Sequence, residues 1–166
     1  MNPIRSLTYS GLLLACGLSA AFMLHLMGIG GQVVLPLHYP ALLGGYLLGS
    51  RYGALIGFMG PLLSSLLTGM PPLLPSALLM APEIMTYGLI AGLLRKSFGI
   101  WGSLVTALLA GRLVWGLSAW LLAPIIGFNI PVTAAILAGF LTGLPGIIGQ
   151  LILVPILVRR IENALR

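Results

Sequence analysis

Two residues of opposite charge stand deep in apolar sequence. Glu83 lies in LLMAPEIMTYGL and Arg112 in LLAGRLVWGL. A charged side chain at mid-helix in a bilayer costs at least about 2.5 kcal/mol on the most lenient insertion scales. Each must therefore face a partner or a polar cavity. Counted from the ends of their apolar runs, the two lie at depths that differ by only about 5 Å at about 1.5 Å per residue, within reach of an arginine. Two chemistries fit: a structural salt bridge between adjacent helices, or an anion receptor at Arg112 with Glu83 as a ligand contact. Thr86 and Tyr87 follow Glu83 at i+3 and i+4 and share its face, as Trp115 and Gly116 do after Arg112. These side chains either line a pocket or pack. Pro82 and Pro145 each remove a backbone hydrogen bond within apolar sequence, which leaves the carbonyls of Leu78 and Leu141 in need of another donor. Broken helices of this kind mark midplane binding sites in transporters.

Three further polar residues are candidates. His38, in LPLHYP, is either a surface-loop residue or part of a lid formed by the Gly-rich stretch GIGGQVVLPLHYP. Asn129, in GFNIP, is either a turn residue or a ligand contact. Gln150 suits an interhelical hydrogen bond. Other chemistries lack parts. There is no GxxxxGK[ST] phosphate loop, no HExxH and no paired cysteine, so neither nucleotide hydrolysis nor a metal centre is expected. No cofactor is expected either. Ser64 and Ser65 have no evident base, and Glu162, the second of only two acidic residues, lies beyond Arg160. Catalysis by a carboxylate pair or an activated nucleophile has too few components, and the chain reads as a non-enzyme.

The elements that must position these residues follow from composition. Of 166 residues, 59% are apolar and 6% charged, with a mean hydropathy of +1.13. A chain of this size cannot hide so much apolar surface in one water-facing core, and disorder requires low hydrophobicity. An all-α integral membrane protein is the fold class that fits, and its 23 glycines suit close helix packing. Apolar runs predict helices over 7–27, 33–49, 53–68, 76–94, 100–122 and 132–158, a single transmembrane domain of six helices spanning 1–166. Pro36 and Pro40 shorten the second, and Pro71, Pro72 and Pro75 hold a loop before the fourth. With both termini cytoplasmic, Arg5, Arg51, Arg95, Lys96, Arg159, Arg160 and Arg166 all face inside, seven of the eight basic residues, as the positive-inside tendency requires. A net charge of +6 thus belongs to membrane topology, and no nucleic-acid partner is expected. Fusing 41–69 into one helix would give five spans but would put Arg51 near mid-membrane, and GSRYG at 49–53 reads as a turn. A cleaved leader ending near SAA at 19–21 would leave the other helices oriented as before.

The first helix carries small residues at four-residue spacing: Gly11, Ala15 and Ser19. Such a stripe permits close helix approach, either within the bundle or to another membrane subunit. Trp101 and Trp120 fall near the ends of the fifth helix, as interfacial anchors do.

The stretch LPLHYPALLGGYLLGSRYGALIGFMGPLLSSLLTGMPPLLPSALLMAPEIMTYGLIAGLL at 35–94, followed by GRLVWG at 111–116, resembles the substrate-binding S components of energy-coupling factor (ECF) vitamin transporters, closest to the pantothenate-type branch. The resemblance covers roughly the whole chain. It implies six helices with both termini cytoplasmic and a multi-pass protein of a bacterial or archaeal cell membrane. It also implies a vitamin site near the outer face, built from the first outer loop and helices four to six. The implied partners are a membrane coupling (T) subunit and two cytoplasmic ATPases, which supply the energy that this chain has no means to convert. Members dock on the coupling subunit through an Ala-x-x-x-Ala motif in the first helix, where this chain has Ala15-x-x-x-Ser19. The residues read above as candidate substrate contacts are Arg112, Glu83, Tyr87, Thr86, Trp115, His38 and Asn129, and one buried arginine suits a carboxylate-bearing vitamin better than neutral riboflavin. A self-sufficient small transporter or channel, or a membrane assembly subunit, is the competing function.

Overall fold

The computed structural model describes residues 2–126 and 132–164, and its regular elements are helical throughout. The elements are α1 (Pro3–Leu26), α2 (Gly31–Val34), α3 (His38–Leu48), α4 (Ser50–Thr68), a π-helical turn (Leu73–Ala77), α5 (Leu78–Ile126) and α6 (Val132–Ala164).

α1 starts where the sequence supplies a start. The Asn2 side chain accepts from the Ile4 amide at 3.1 Å, and Pro3 follows at the first helical position. The polarity of this helix is the reverse of a soluble one. Its buried residues are Ser6, Ser10 and Gly17, while Leu7, Leu12, Met23 and Leu26 are each about 60% exposed. Such an arrangement is favourable only when the surrounding solvent is hydrocarbon. Among the described residues, three segments are long and apolar enough to cross a membrane: Pro3–Leu26, Leu73–Leu122 and Gly143–Ala164.

Two positive-φ glycines reverse the chain. Gly49 (φ 106°) separates α3 from α4, and Gly99 (φ 66°) breaks α5 into two arms, 78–98 and 100–126. Both positions require a backbone that a side chain would strain. The arms fold back on each other: Tyr87, twelve residues before Gly99, lies against Gly111, twelve after it. At the hinge end the Tyr46 hydroxyl bonds to Ser103 Oγ at 3.0 Å and to the Ile100 carbonyl at 3.1 Å, which ties α3 to the second arm. α3, α4 and the first arm of α5 meet almost backbone to backbone. A Cβ on Gly53 would stand 2.5 Å from the Gly45 backbone and 2.8 Å from the Gly88 carbonyl oxygen. On the far side α6 descends beside α3 and α5, and Arg95 Nη2 meets Glu162 Oε1 at 2.6 Å near its end.

Two helices differ from the sequence expectation, and one rival to it fails. The 33–49 helix is divided into a four-residue α2 and an eleven-residue α3, because Pro36 removes the amide that would continue it. The 41–69 fusion does not form, since Gly49 interrupts it. The 132–158 helix runs on to Ala164, past Arg159-Arg160, where a helix outside hydrocarbon has no reason to stop.

Candidate functional site

Glu83 and Arg112 form the pair that their depths predict. Arg112 Nη1 lies 3.0 Å from Glu83 Oε1, and the two residues are only 6% and 1% exposed. The same carboxylate oxygen accepts the Tyr87 hydroxyl at 2.7 Å. That bond is the i, i+4 geometry of one helical face, while Arg112 arrives from the second arm of α5. The Gly99 hinge is therefore what brings the two charges together. Charge-assisted bonds of this kind are the strong ones, and they offset part of the cost of taking both charges out of a polar solvent.

His38 joins them. It is the first residue of α3 and is buried, so the surface-loop reading does not hold. Its Nε2 lies 4.0 Å from Glu83 Oε1. Its ring packs on Tyr87 with centroids 5.2 Å apart, tilted by 42°. Neither ring nitrogen has a hydrogen-bond partner among the described residues.

The loop before α3 closes over this cluster. Leu35 holds a left-handed backbone, φ 55° and ψ 48°, which costs a side-chain-bearing residue about 1–2 kcal/mol. The conformation directs Leu35 onto two glycines of α6. A Cβ on Gly143 would stand 2.6 Å from Arg112 Nη2 and 3.6 Å from Leu35 Cδ1, and one on Gly146 would stand 2.7 Å from Leu35 Cγ. The bare backbone of α6 thus makes the space that the guanidinium and the leucine occupy.

The other expected residues stand differently. Thr86 is committed to its own helix, where its hydroxyl donates to the Pro82 carbonyl at 2.7 Å. Trp115 is half-buried one turn beyond Arg112. Asn129 lies outside the described residues. Gln150 makes no interhelical hydrogen bond: it is fully buried, and neither its amide oxygen nor its nitrogen has a partner. Gly11, Ala15 and Ser19 all lie on the exposed side of α1, so the stripe does not serve packing within this chain, where Gly17 instead receives Pro40. The sequence reading did not single out Leu35, Gly143 or Gly146. The signal available was the pairing of a Gly-x-x-Gly step in α6 with an arginine at matching depth.

The cluster is thus a buried ion pair with an adjoining histidine and tyrosine, set among apolar helices. The family model described as ECF transporter, substrate-specific component matches residues 5–158. The chain belongs to that family and is a substrate-binding subunit of an ECF-type transporter, a multi-pass membrane protein. No curated protein and no solved structure matches it.

Proposed function

We propose that the chain is the high-affinity binding subunit for uptake of a vitamin or related micronutrient, carboxylate-bearing in the manner of pantothenate. The observation that supports this reading is the Arg112 guanidinium, buried against Gly143 and bonded to Glu83. A guanidinium carries five donors in a planar fork that matches a carboxylate, and the absence of a side chain at Gly143 lets it lie against α6. Glu83 holds the fork in place until an anionic group competes for it. His38, Tyr87 and Trp115 then contact the remainder of the vitamin, with Thr86 and Asn129 beside it.

In this reading the chain forms six spans of one transmembrane domain in the cell membrane, with both termini cytoplasmic. Gly11, Ala15 and Ser19 face a membrane coupling subunit, which links the chain to two ATPases. The test is mass spectrometry of small molecules released from the detergent-purified protein, with titration of pantothenate, nicotinate and riboflavin by calorimetry. Pantothenate bound more tightly than riboflavin is the expected result. A preference for riboflavin rejects the carboxylate reading. Accumulation of vitamin in liposomes by this chain alone rejects the binding-subunit reading in favour of a self-sufficient transporter.

A further inference from the structure

Among the described residues of α6, five buried positions fall in one line, Gly143, Gly146, Gln150, Val154 and Val158, with Pro155 buried beside them. The first two receive Arg112 and Leu35, and the last two belong to the apolar core. Gln150 lies between the two groups, 0% exposed, with both amide heteroatoms unpartnered. A buried carboxamide without partners is costly, and native interiors rarely keep one. The usual reason for glutamine in a membrane helix, a bond to a neighbouring helix, is not met here. His38 shows the same condition, 1% exposed with two unpartnered nitrogens.

The register puts these two residues at one level. Leu35 seats on Gly146, and a Cβ on Gly149 would stand 2.8 Å from the Tyr39 hydroxyl. The first turn of α3, which carries His38, thus runs beside the turn of α6 that carries Gln150. His38 in turn approaches Glu83. Gln150 and the charged cluster therefore both lie beside the first turn of α3. Gln150 lies seven residues beyond Gly143, about 10 Å along the helix axis, which is the length of a small metabolite.

We propose that Gln150 is a specificity-determining contact that pairs with a neutral donor-and-acceptor group of the substrate, of amide or ureido type, at the end remote from Arg112. The inference rests on the substrate-binding role proposed above and extends it by a second recognition point. A carboxamide presents an N–H donor and a C=O acceptor side by side, and an amide answers both. A carboxylate answers only the donor and leaves the glutamine oxygen facing another acceptor. A buried site built to bond such a group rejects analogues that lack it far more strongly than a hydrophobic pocket does.

The experiment compares wild type with Gln150→Leu and the more flexible Gln150→Met. It measures affinity for pantothenate, which carries an internal amide, and for nicotinate, which has only a ring and a carboxylate, together with the melting temperature of the ligand-free proteins. Loss of two neutral hydrogen bonds should weaken pantothenate binding roughly tenfold to a hundredfold and leave nicotinate unaffected. The ligand-free variants should melt at or above the wild-type temperature, because they no longer bury unpaired amide atoms. Unchanged pantothenate affinity in both variants overturns the proposal. So does a lower melting temperature in both, which would make Gln150 a packing residue. If wild type binds neither probe, the carboxylate-vitamin function fails by that result, and the melting comparison alone decides on Gln150.

Discussion

Removing one member of the Glu83–Arg112 pair should cost more than removing both. Both side chains are buried, and the 3.0 Å contact falls on the same oxygen that accepts Tyr87. Arg112→Met leaves Glu83 with one neutral donor in a low-dielectric interior. Breaking such a pair costs about 3–5 kcal/mol, which on the scaling for a domain of this size is a fall of about 6–20 °C in melting temperature. Glu83→Gln removes the carboxylate that faces the guanidinium and should cost a similar amount. The double variant buries no charge, and its glutamine still accepts from Tyr87, so its stability should return to within about 1 kcal/mol of wild type, since replacing both ions is often neutral. Thermal unfolding of the four proteins in detergent gives the coupling energy, and titration with pantothenate gives the functional half. A receptor role for Arg112 predicts that the double variant is stable yet binds about thirty-fold to several thousand-fold more weakly, the loss of about 2–5 kcal/mol expected for a buried charged contact. Two results refute the reasoning. Additive losses in stability would mean that the pair is not energetically coupled. Full affinity in the stable double variant would reduce the pair to a structural bridge.

Three further outcomes follow from the packing. Gly143→Ala should lower pantothenate affinity about tenfold with little change in melting temperature, because its methyl meets the movable end of Arg112 at 2.6 Å rather than backbone. Gly53→Ala should be far more damaging, with loss of folded protein on size-exclusion chromatography, because its methyl meets Gly45 backbone at 2.5 Å with Gly88 behind it. Ala15→Trp, on the exposed face of α1, should leave pantothenate affinity within about twofold and abolish uptake by cells that hold the full transporter; equal loss of both would place Ala15 in internal packing.

Much of the architecture was legible because the bilayer imposes simple rules. Apolar run length located α1, α4 and the two arms of α5, and proline and glycine located their ends. The charge pair was legible for the same reason: two opposite charges in hydrocarbon at matching depth have few alternatives to meeting. Interactions between elements were not legible. His38 read either as a surface-loop residue or as part of a lid, because it stands between Leu37 and Tyr39 in a Pro-flanked segment, yet the first turn of α3 carries it against Tyr87. Gln150 read as an interhelical tie because polar residues in membrane helices normally find partners, and only the positions of its neighbours reveal that it has none. Leu35 gave no signal at all, since a leucine in an apolar loop does not announce a left-handed backbone.

The site lies at the boundary between two kinds of packing. On one side α3, α4 and the first arm of α5 meet through glycine backbones at Gly45, Gly53 and Gly88. Contacts of that kind leave no side chain to rotate, so sliding one helix means moving all three. On the other side α6 touches the cluster through side chains seated on glycines: the Arg112 guanidinium at Gly143 and the Leu35 isobutyl group at Gly146. These groups change rotamer without moving a helix axis. Glu83, Tyr87 and the first turn of α3 belong to the fixed side, and Leu35, on its four-residue helix, belongs to the yielding one. A substrate that reaches Arg112 therefore has one route of low cost, which is to take the volume now filled by Leu35 and the arginine fork above α6. Glu83 and Tyr87 are held by the part of the fold packed through glycine backbones, so the carboxylate keeps its place while the arginine fork moves. Preorganised charge with an adaptable cover is what tight binding of a small polar molecule from water requires, because the ordering cost is met in folding rather than in association.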